Sequence, residues 1–264
     1  MKHWESTLGR VSFINCDPLY HGLSEKWNTI VAPPSWLTGH LLRQDCLLAP
    51  IPAADYAAHF DELALIPDIG ISSRGEVGSV LLFGNRPIEK MRDIAFPSDS
   101  STSVKLMKHI LELRNLNPRP ISMGPDLETM LDRCDGALLI GDRALKSATE
   151  YPSKVVMDLG AEWFNQTNHP MVFGVFAARR DTDLKNLKKA HQALINQLEL
   201  FETQPSHRKE SIAESSRQSG QTVQRLQSYY GEVINRMWPE DYEGLEHFLK
   251  FVCGIDADLR FAWE

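Results

Sequence analysis

The chain has 264 residues, 42% hydrophobic and 24% charged, the balance of a globular protein with room for one large core or two smaller lobes. Its 28 Lys and Arg against 35 Asp and Glu leave a net charge of -7, which argues against nucleic acid as a partner, because a phosphate backbone calls for a positive surface. The four cysteines, Cys16, Cys46, Cys134 and Cys253, form no C-x-x-C pair and the nine histidines no ligand motif, so reduced thiols and no metal site are predicted.

Met1-Lys2-His3-Trp4-Glu5 leads directly into Gly9–Ile14, without the basic stretch and apolar run of a secretory leader. No apolar run is long enough to cross a bilayer, so a cytoplasmic protein with no membrane partner is predicted. Val11–Ile14 reads as a buried strand halted by the turn-forming Asn15-Cys16-Asp17-Pro18. Trp36, Leu37, His40 and Leu41 recur at helical spacing, and Leu47–Pro52 reads as a strand cut short by its prolines. Val80–Phe83 is a further strand, ended by Gly84-Asn85-Arg86-Pro87.

The alternation then repeats. Ile94–Phe96 is a short strand, and Ser98–Ser103 opens a helix whose apolar positions are Val104, Met107, Ile110 and Leu111. Ala137–Ile140 and Val172–Ala178 read as buried strands. The remainder is helical: one stripe runs from Leu184 to Phe201, a second from Val223 to Met237, and a third from Tyr242 to Val252, with a polar surface helix across Gln204–Gly220. Alternating strands and helices predict an α/β protein of two lobes. The expected boundaries place residues 1–86 and 177–264 in the first lobe, with the C-terminal helices packed back on it, and residues 87–176 in the second.

The segment Gly9-Arg10-Val11-Ser12-Phe13-Ile14-Asn15-Cys16-Asp17-Pro18-Leu19-Tyr20-His21-Gly22-Leu23 resembles the N-terminal signature of the chorismate dehydratases of the futalosine route to menaquinone. The resemblance continues in the same order at Leu65–Val80, Ser98–Ser103, Leu138–Leu145 and Asp158–Trp163, running into Thr167, Pro170 and Phe173. It implies a type II periplasmic-binding-protein-like fold, two α/β lobes around a cleft. The implied reaction is loss of water from chorismate to give 3-[(1-carboxyvinyl)oxy]benzoate, a carbon–oxygen lyase activity. No cofactor is implied, the partner is the small-molecule substrate, and the oligomeric state stays open.

From the residues alone, Asn15 is a turn cap and Ser79 a strand-start serine; the resemblance assigns both catalytic roles. Ser79 is chosen over Ser72 and Ser73. Ser101, Thr102 and Ser103 precede an amphipathic helix, where one hydroxyl would serve as cap and the others, with the helix dipole, would hold a carboxylate. Asp142 is assigned to the substrate site, where it would orient a donor; capping the helix that follows is the alternative. Thr167 is assigned to the substrate on its match to the family pattern. Asp17, Glu76, the stretch Pro52-Ala53-Ala54, Asn168 and Met171 depart from that pattern.

None of the matched residues is a strong base, and Gly-x-Ser-x-Gly is missing. The expectation is that a carboxylate of the substrate removes the ring proton, with His21 and Asp17 as protein-side alternatives; His169, read as a surface-turn histidine, is the third group to test. Two other readings stand beside this one. One is the sister enzyme acting on cyclic dehypoxanthine futalosine, which the Asn15-Cys16 turn and the Leu139-Ile140-Gly141-Asp142 block fit less well. The other is a non-catalytic solute-binding or sensor protein.

Overall fold

In the computed structural model residues 3–263 are described; Met1 and Lys2, at the head of the stretch read as holding no leader, and Glu264 lie outside them. The strands in chain order are β1 (Thr7–Val11), β2 (Asn28–Ala32), β3 (Ala49–Pro52), β4 (Leu63–Ser73), β5 (Val80–Gly84) and β6 (Asp93–Pro97). They continue with β7 (Arg119–Met123), β8 (Gly136–Ile140), β9 (Val155–Asp158), β10 (Met171–Arg179) and β11 (Ile234–Arg236).

In the first lobe β11, β4, β10 and β3 lie side by side in that order. The parallel pair β1 and β2 joins at the β3 edge, where Gly9 N–H donates to Leu48 O (2.9 Å) and Leu47 N–H to Thr7 O (2.8 Å). A side chain at Gly9 would collide with the Ala49 methyl, so this close approach of strands depends on glycine. In the second lobe the order is β7-β6-β8-β5-β9, parallel from β7 to β8 and antiparallel from β8 to β9.

Sequence explains which strands are central. β10 (MVFGVFAAR) is buried at every position but the last, and β5 (VLLFG) and β8 (GALLI) are buried throughout. Strands covered on both faces lose the alternation of a half-exposed strand and read as continuous apolar runs. β2 (NTIVA), at an edge, is largely exposed.

The strand pairing moves both lobe boundaries from their expected places. Val80–Gly84, expected in the first lobe, pairs with β8 and β9 in the second sheet. Met171–Phe176, expected in the second lobe, lies between β3 and β4 in the first. The reason is burial: each all-apolar strand needs a neighbour on both sides, and these are the neighbours its own sheet offers. The crossovers therefore fall at residues 74–79 and 159–170.

Other differences are local. The strand read at Val11–Ile14 ends at Val11, and Ile14–Cys16 is a 3₁₀ turn that runs into the short helix Asp17–Tyr20, whose early Pro18 suits a helix start. The second helical stripe stops at Glu232; Val233 and Met237 flank β11, which pairs with β4. Helices Leu184–Thr203 and Pro239–Phe251 pack on the first lobe, as expected of the C-terminal segment. Among the described residues no helix is long and apolar enough to cross a membrane.

Asp158 ties the two crossovers together. Its carboxylate caps the helix Leu159–Thr167 by accepting from Gly160 N–H (2.9 Å) and Ala161 N–H (3.1 Å). It also accepts from Val77 N–H (3.1 Å) and Gly78 N–H (2.8 Å) of the other crossover. Burial pushes this carboxyl up, and the four N–H donors pull it back. Asp158→Ala removes a cap and leaves two further amides of the crossover without their acceptor, so it is expected to cost about 2–4 kcal/mol. Urea denaturation measures this; an unchanged midpoint would show that the crossovers hold without the carboxylate.

Candidate active site

A cavity of about 60 Å³ lies between the two sheets. Its apolar wall comes from Pro50 and Ile51 of β3, Ile71 of β4 and Phe173 of β10, with Phe13 and Val77 beside them. Its polar groups are Asn15 from the first lobe, Ser79 from the crossover, and Ser100, Thr102 and Ser103 from the second lobe. No lining residue carries an ionisable side chain.

Asn15 sits in the middle of the Ile14–Cys16 turn, and its Oδ1 is buried with no hydrogen-bond partner among the described residues. An orphaned acceptor at a cavity wall is available to a ligand. Ser79 immediately precedes β5 and is 4% exposed; its Oγ accepts from the Tyr229 hydroxyl (3.1 Å), which leaves its own proton to donate. Ser72 and Ser73 are differently employed: Ser72 Oγ donates to Asp241 Oδ1 (3.0 Å) and Ser73 Oγ to Gly75 O (3.1 Å).

The hydroxyl run is divided. The helix Thr102–Leu113 begins without a side-chain cap, so the expected capping bond is not made. Ser101 does not line the cavity, and its Oγ is buried without a partner among the described residues. Thr102 and Ser103 do line it, and Ser100 takes the place expected for Ser101. Thr102 Oγ1 accepts from Ala54 N–H (3.1 Å), a bond from one lobe to the other. The first N–H groups of such a helix lack intrahelical acceptors and face an anion favourably.

Two further expected site residues lie outside the cavity lining. Thr167 hydroxyl donates to Trp163 O (2.9 Å) and accepts from His169 N–H (3.1 Å), so it serves the C-terminus of its own helix. Asp142, in the first turn of the helix Gly141–Glu150, does not cap it; its Oδ1 accepts from Ile14 N–H (3.1 Å) of the opposite lobe. Its carboxyl is pushed up to about 6, chiefly by burial and further by the charge of Asp17, against the pull of Ile14 N–H and Arg143.

The candidate bases are elsewhere. Asp17 pairs with Arg10 (2.7 Å) and accepts from Ser215 Oγ (2.6 Å), and His21 Nδ1 lies 2.8 Å from Glu214; both face a separate small pocket. His169 stacks near His247 at a third position. Sequence reasoning missed Ser100 and Tyr229. Ser100 belongs to the same polar run, but only the backbone decides which hydroxyls of that run face inward. Tyr229 sits beside the apolar stripe that includes Tyr230, and nothing in the sequence connects it to Ser79.

Two α/β sheets joined by two crossovers, with the site between them, define a two-lobed protein of the periplasmic-binding-protein type. The solved structure of a protein from Archaeoglobus fulgidus superposes with a TM-score of 0.74 at 17% identity, over 94% of this chain and 97% of that one. The periplasmic aliphatic sulphonate binding protein of Escherichia coli gives 0.67 at 17% identity, over 94% and 91%. The chain belongs to the family described as menaquinone biosynthesis, which matches residues 6–253. It is 31% identical over 258 residues to the chorismate dehydratase of Thermus thermophilus, covering 91% of this chain and 93% of that protein.

The Asp142 carboxyl yields a pH prediction. Its folded pKa of about 6 exceeds the ordinary 3.8, so the stability linked to its protonation is full below the ordinary value and is lost as pH rises through about 6. Asp142→Asn, which cannot ionise, is therefore expected to be more stable than the wild type at pH 7.5 by about 1–3 kcal/mol. The gain should vanish near pH 4. Thermal unfolding across that range checks it, and a gain independent of pH would assign it to packing instead.

Proposed function

We propose that this chain is a chorismate dehydratase, a cytoplasmic hydro-lyase whose partner is the small-molecule substrate and whose site is the cavity between the lobes. The observation that carries the reading is the cavity wall: Asn15 and Ser79 meet the hydroxyls at the start of a 12-residue helix, with no ionisable side chain among them. The dehydratase of Thermus thermophilus, similar over nine-tenths of the chain, supports the choice of reaction.

Chorismate is a dianion, so this wall has to hold it without cations. Thr102, Ser103 and Ser100, with the free amides of the helix start, suit one carboxylate. Asn15 and Ser79 are neutral donors and acceptors that position the ring and its charged arm. The elimination removes the proton at C3 and expels the hydroxyl at C4, and aromatisation drives it. A single group on that face takes the proton and returns it to the departing oxygen. With no base on the wall, this group is the enolpyruvyl carboxylate of the substrate, held by Asn15 and Ser79.

Incubation of the pure protein with chorismate should yield the aromatic enol ether, read by its ultraviolet spectrum and mass; absence of product would remove the assignment. Asn15→Asp is expected to lower kcat by at least about a hundredfold with folding intact, because it sets a second carboxylate beside the reacting one. Ser79→Ala should also lower kcat while the circular dichroism spectrum stays unchanged. Activity close to wild type in either variant would take that residue out of the mechanism.

The origin of the base is tested separately. His21→Asn, Asp17→Asn and His169→Asn are each expected to keep substantial turnover. A protein base would contribute roughly 10²- to 10⁴-fold. Loss on that scale in a folded, substrate-binding variant would make that residue the base and end the substrate-assisted account.

A further inference from the structure

The turn that carries Asn15 has a helix start and no cap of its own. Phe13 occupies the capping position before Ile14–Cys16 and offers no side-chain acceptor. The acceptor arrives from the other lobe, where Asp142 Oδ1 receives Ile14 N–H at 3.1 Å. Elsewhere in the chain Asp126, Asp158 and Asp183 each cap the helix that follows them. Asp142 makes no such bond to its own helix.

The surroundings are arranged for this reach. Gly141, at φ +62°, lets Phe13 pack so close that a Cβ there would lie 2.5 Å from the ring. Arg143, the nearest cation in sequence, is engaged with Asp99 (2.6 Å) and lies over the Phe13 ring (5.6 Å). Asp142 accepts from Ile14 N–H, and the charges that act on it are Asp17 on the first lobe and Arg143 on its own helix, while its own charge raises the Tyr229 and Tyr230 phenols. A buried carboxylate without a cation partner is costly unless hydrogen bonds compensate it, and here the bond it accepts is from Ile14 N–H.

We propose that Asp142 is the positioning residue for Asn15: it caps, from the second lobe, the turn that presents Asn15 to the cavity, and so fixes Asn15 against Ser79. Neither Asp142 nor Ile14 lines the cavity, so the tie lies behind its wall and leaves room for substrate. Gly141 N–H donates to Ser79 O (2.7 Å), which anchors the same helix start to the other half of the site. The proposal rests on the dehydratase reading for its effect on turnover but not for its effect on the turn.

The test measures both in Asp142→Ala and Asp142→Asn. Asparagine keeps an acceptor oxygen for Ile14 N–H; alanine does not. In Asp142→Ala, hydrogen–deuterium exchange across Phe13–Tyr20 should accelerate and kcat should fall at least about tenfold, with KM changed far less. Asp142→Asn should restore wild-type exchange and most of the turnover. Should Asp142→Ala fail to fold, Asp142→Glu replaces it, since it keeps the charge but displaces the oxygens by one methylene. Unchanged exchange in the alanine or glutamate variant would overturn the proposal. So would an asparagine variant with wild-type exchange and turnover as low as alanine's, because the carboxylate would then act as a base. If the wild type makes no product from chorismate, the dehydratase reading fails, and the exchange data alone decide the tie.

Discussion

Asn15 and Ser79 belong to different halves of the molecule, and their registry depends on how two sheets that share no strand are held against each other. Asn15 hangs on a turn after β1 of the first sheet, and Ser79 is the last residue before β5 opens the second. The covalent links are two short crossovers, clasped by the Asp158 carboxylate. Three polar contacts supplement that clasp at the site: Asp142 to Ile14 N–H, Thr102 to Ala54 N–H, and Tyr229 to Ser79. Each one joins a cavity residue, or its immediate neighbour, to the other side. The same bonds that set the lobe geometry therefore set the geometry of the site.

The second constraint is charge. The protein is acidic, and its cavity wall has no cation, yet the proposed substrate carries two carboxylates. Asp17, one residue from Cys16 and two from Asn15, would repel such a substrate if it faced the cavity. It is instead turned to Arg10 and Ser215, which neutralise and bond it within the first lobe. Its departure from the family pattern is thereby harmless to the cavity. Backbone amides at the Thr102 helix start, and hydroxyls free of capping duty, are the donors that remain.

Much of this was legible in the sequence, for reasons that differ by element. β5, β8 and β10 are unbroken apolar runs, and such runs announce buried strands without any tertiary knowledge. Which sheet each run joins is a matter of pairing partners far along the chain, and so both lobe boundaries moved. Asn15 and Ser79 were found through the family pattern, since neither has a neighbour in sequence that marks it. Ser101 and Ser100 exchanged places because adjacent hydroxyls before a helix point in different directions, and only the backbone fixes which. Thr167 matched the pattern but serves its own helix end. Asp142 was recognised as a residue of interest, but its partner lies 128 positions away, beyond any local signal.

A lobed fold that closes on a solute already does most of what this elimination requires. It surrounds the ligand, excludes water and presents oriented neutral donors, which strengthens every hydrogen bond to developing charge. What such a fold lacks is a group to move the proton, and a carboxylate placed on the wall for that purpose would repel a dianion. A substrate that carries its own carboxylate removes that conflict. The protein then needs only to hold the charged arm over the ring, a task of positioning rather than of proton affinity. On the proposed mechanism a neutral polar wall suffices, and Asp142, a carboxyl that burial pushes up, bonds the backbone behind Asn15 from outside the cavity lining.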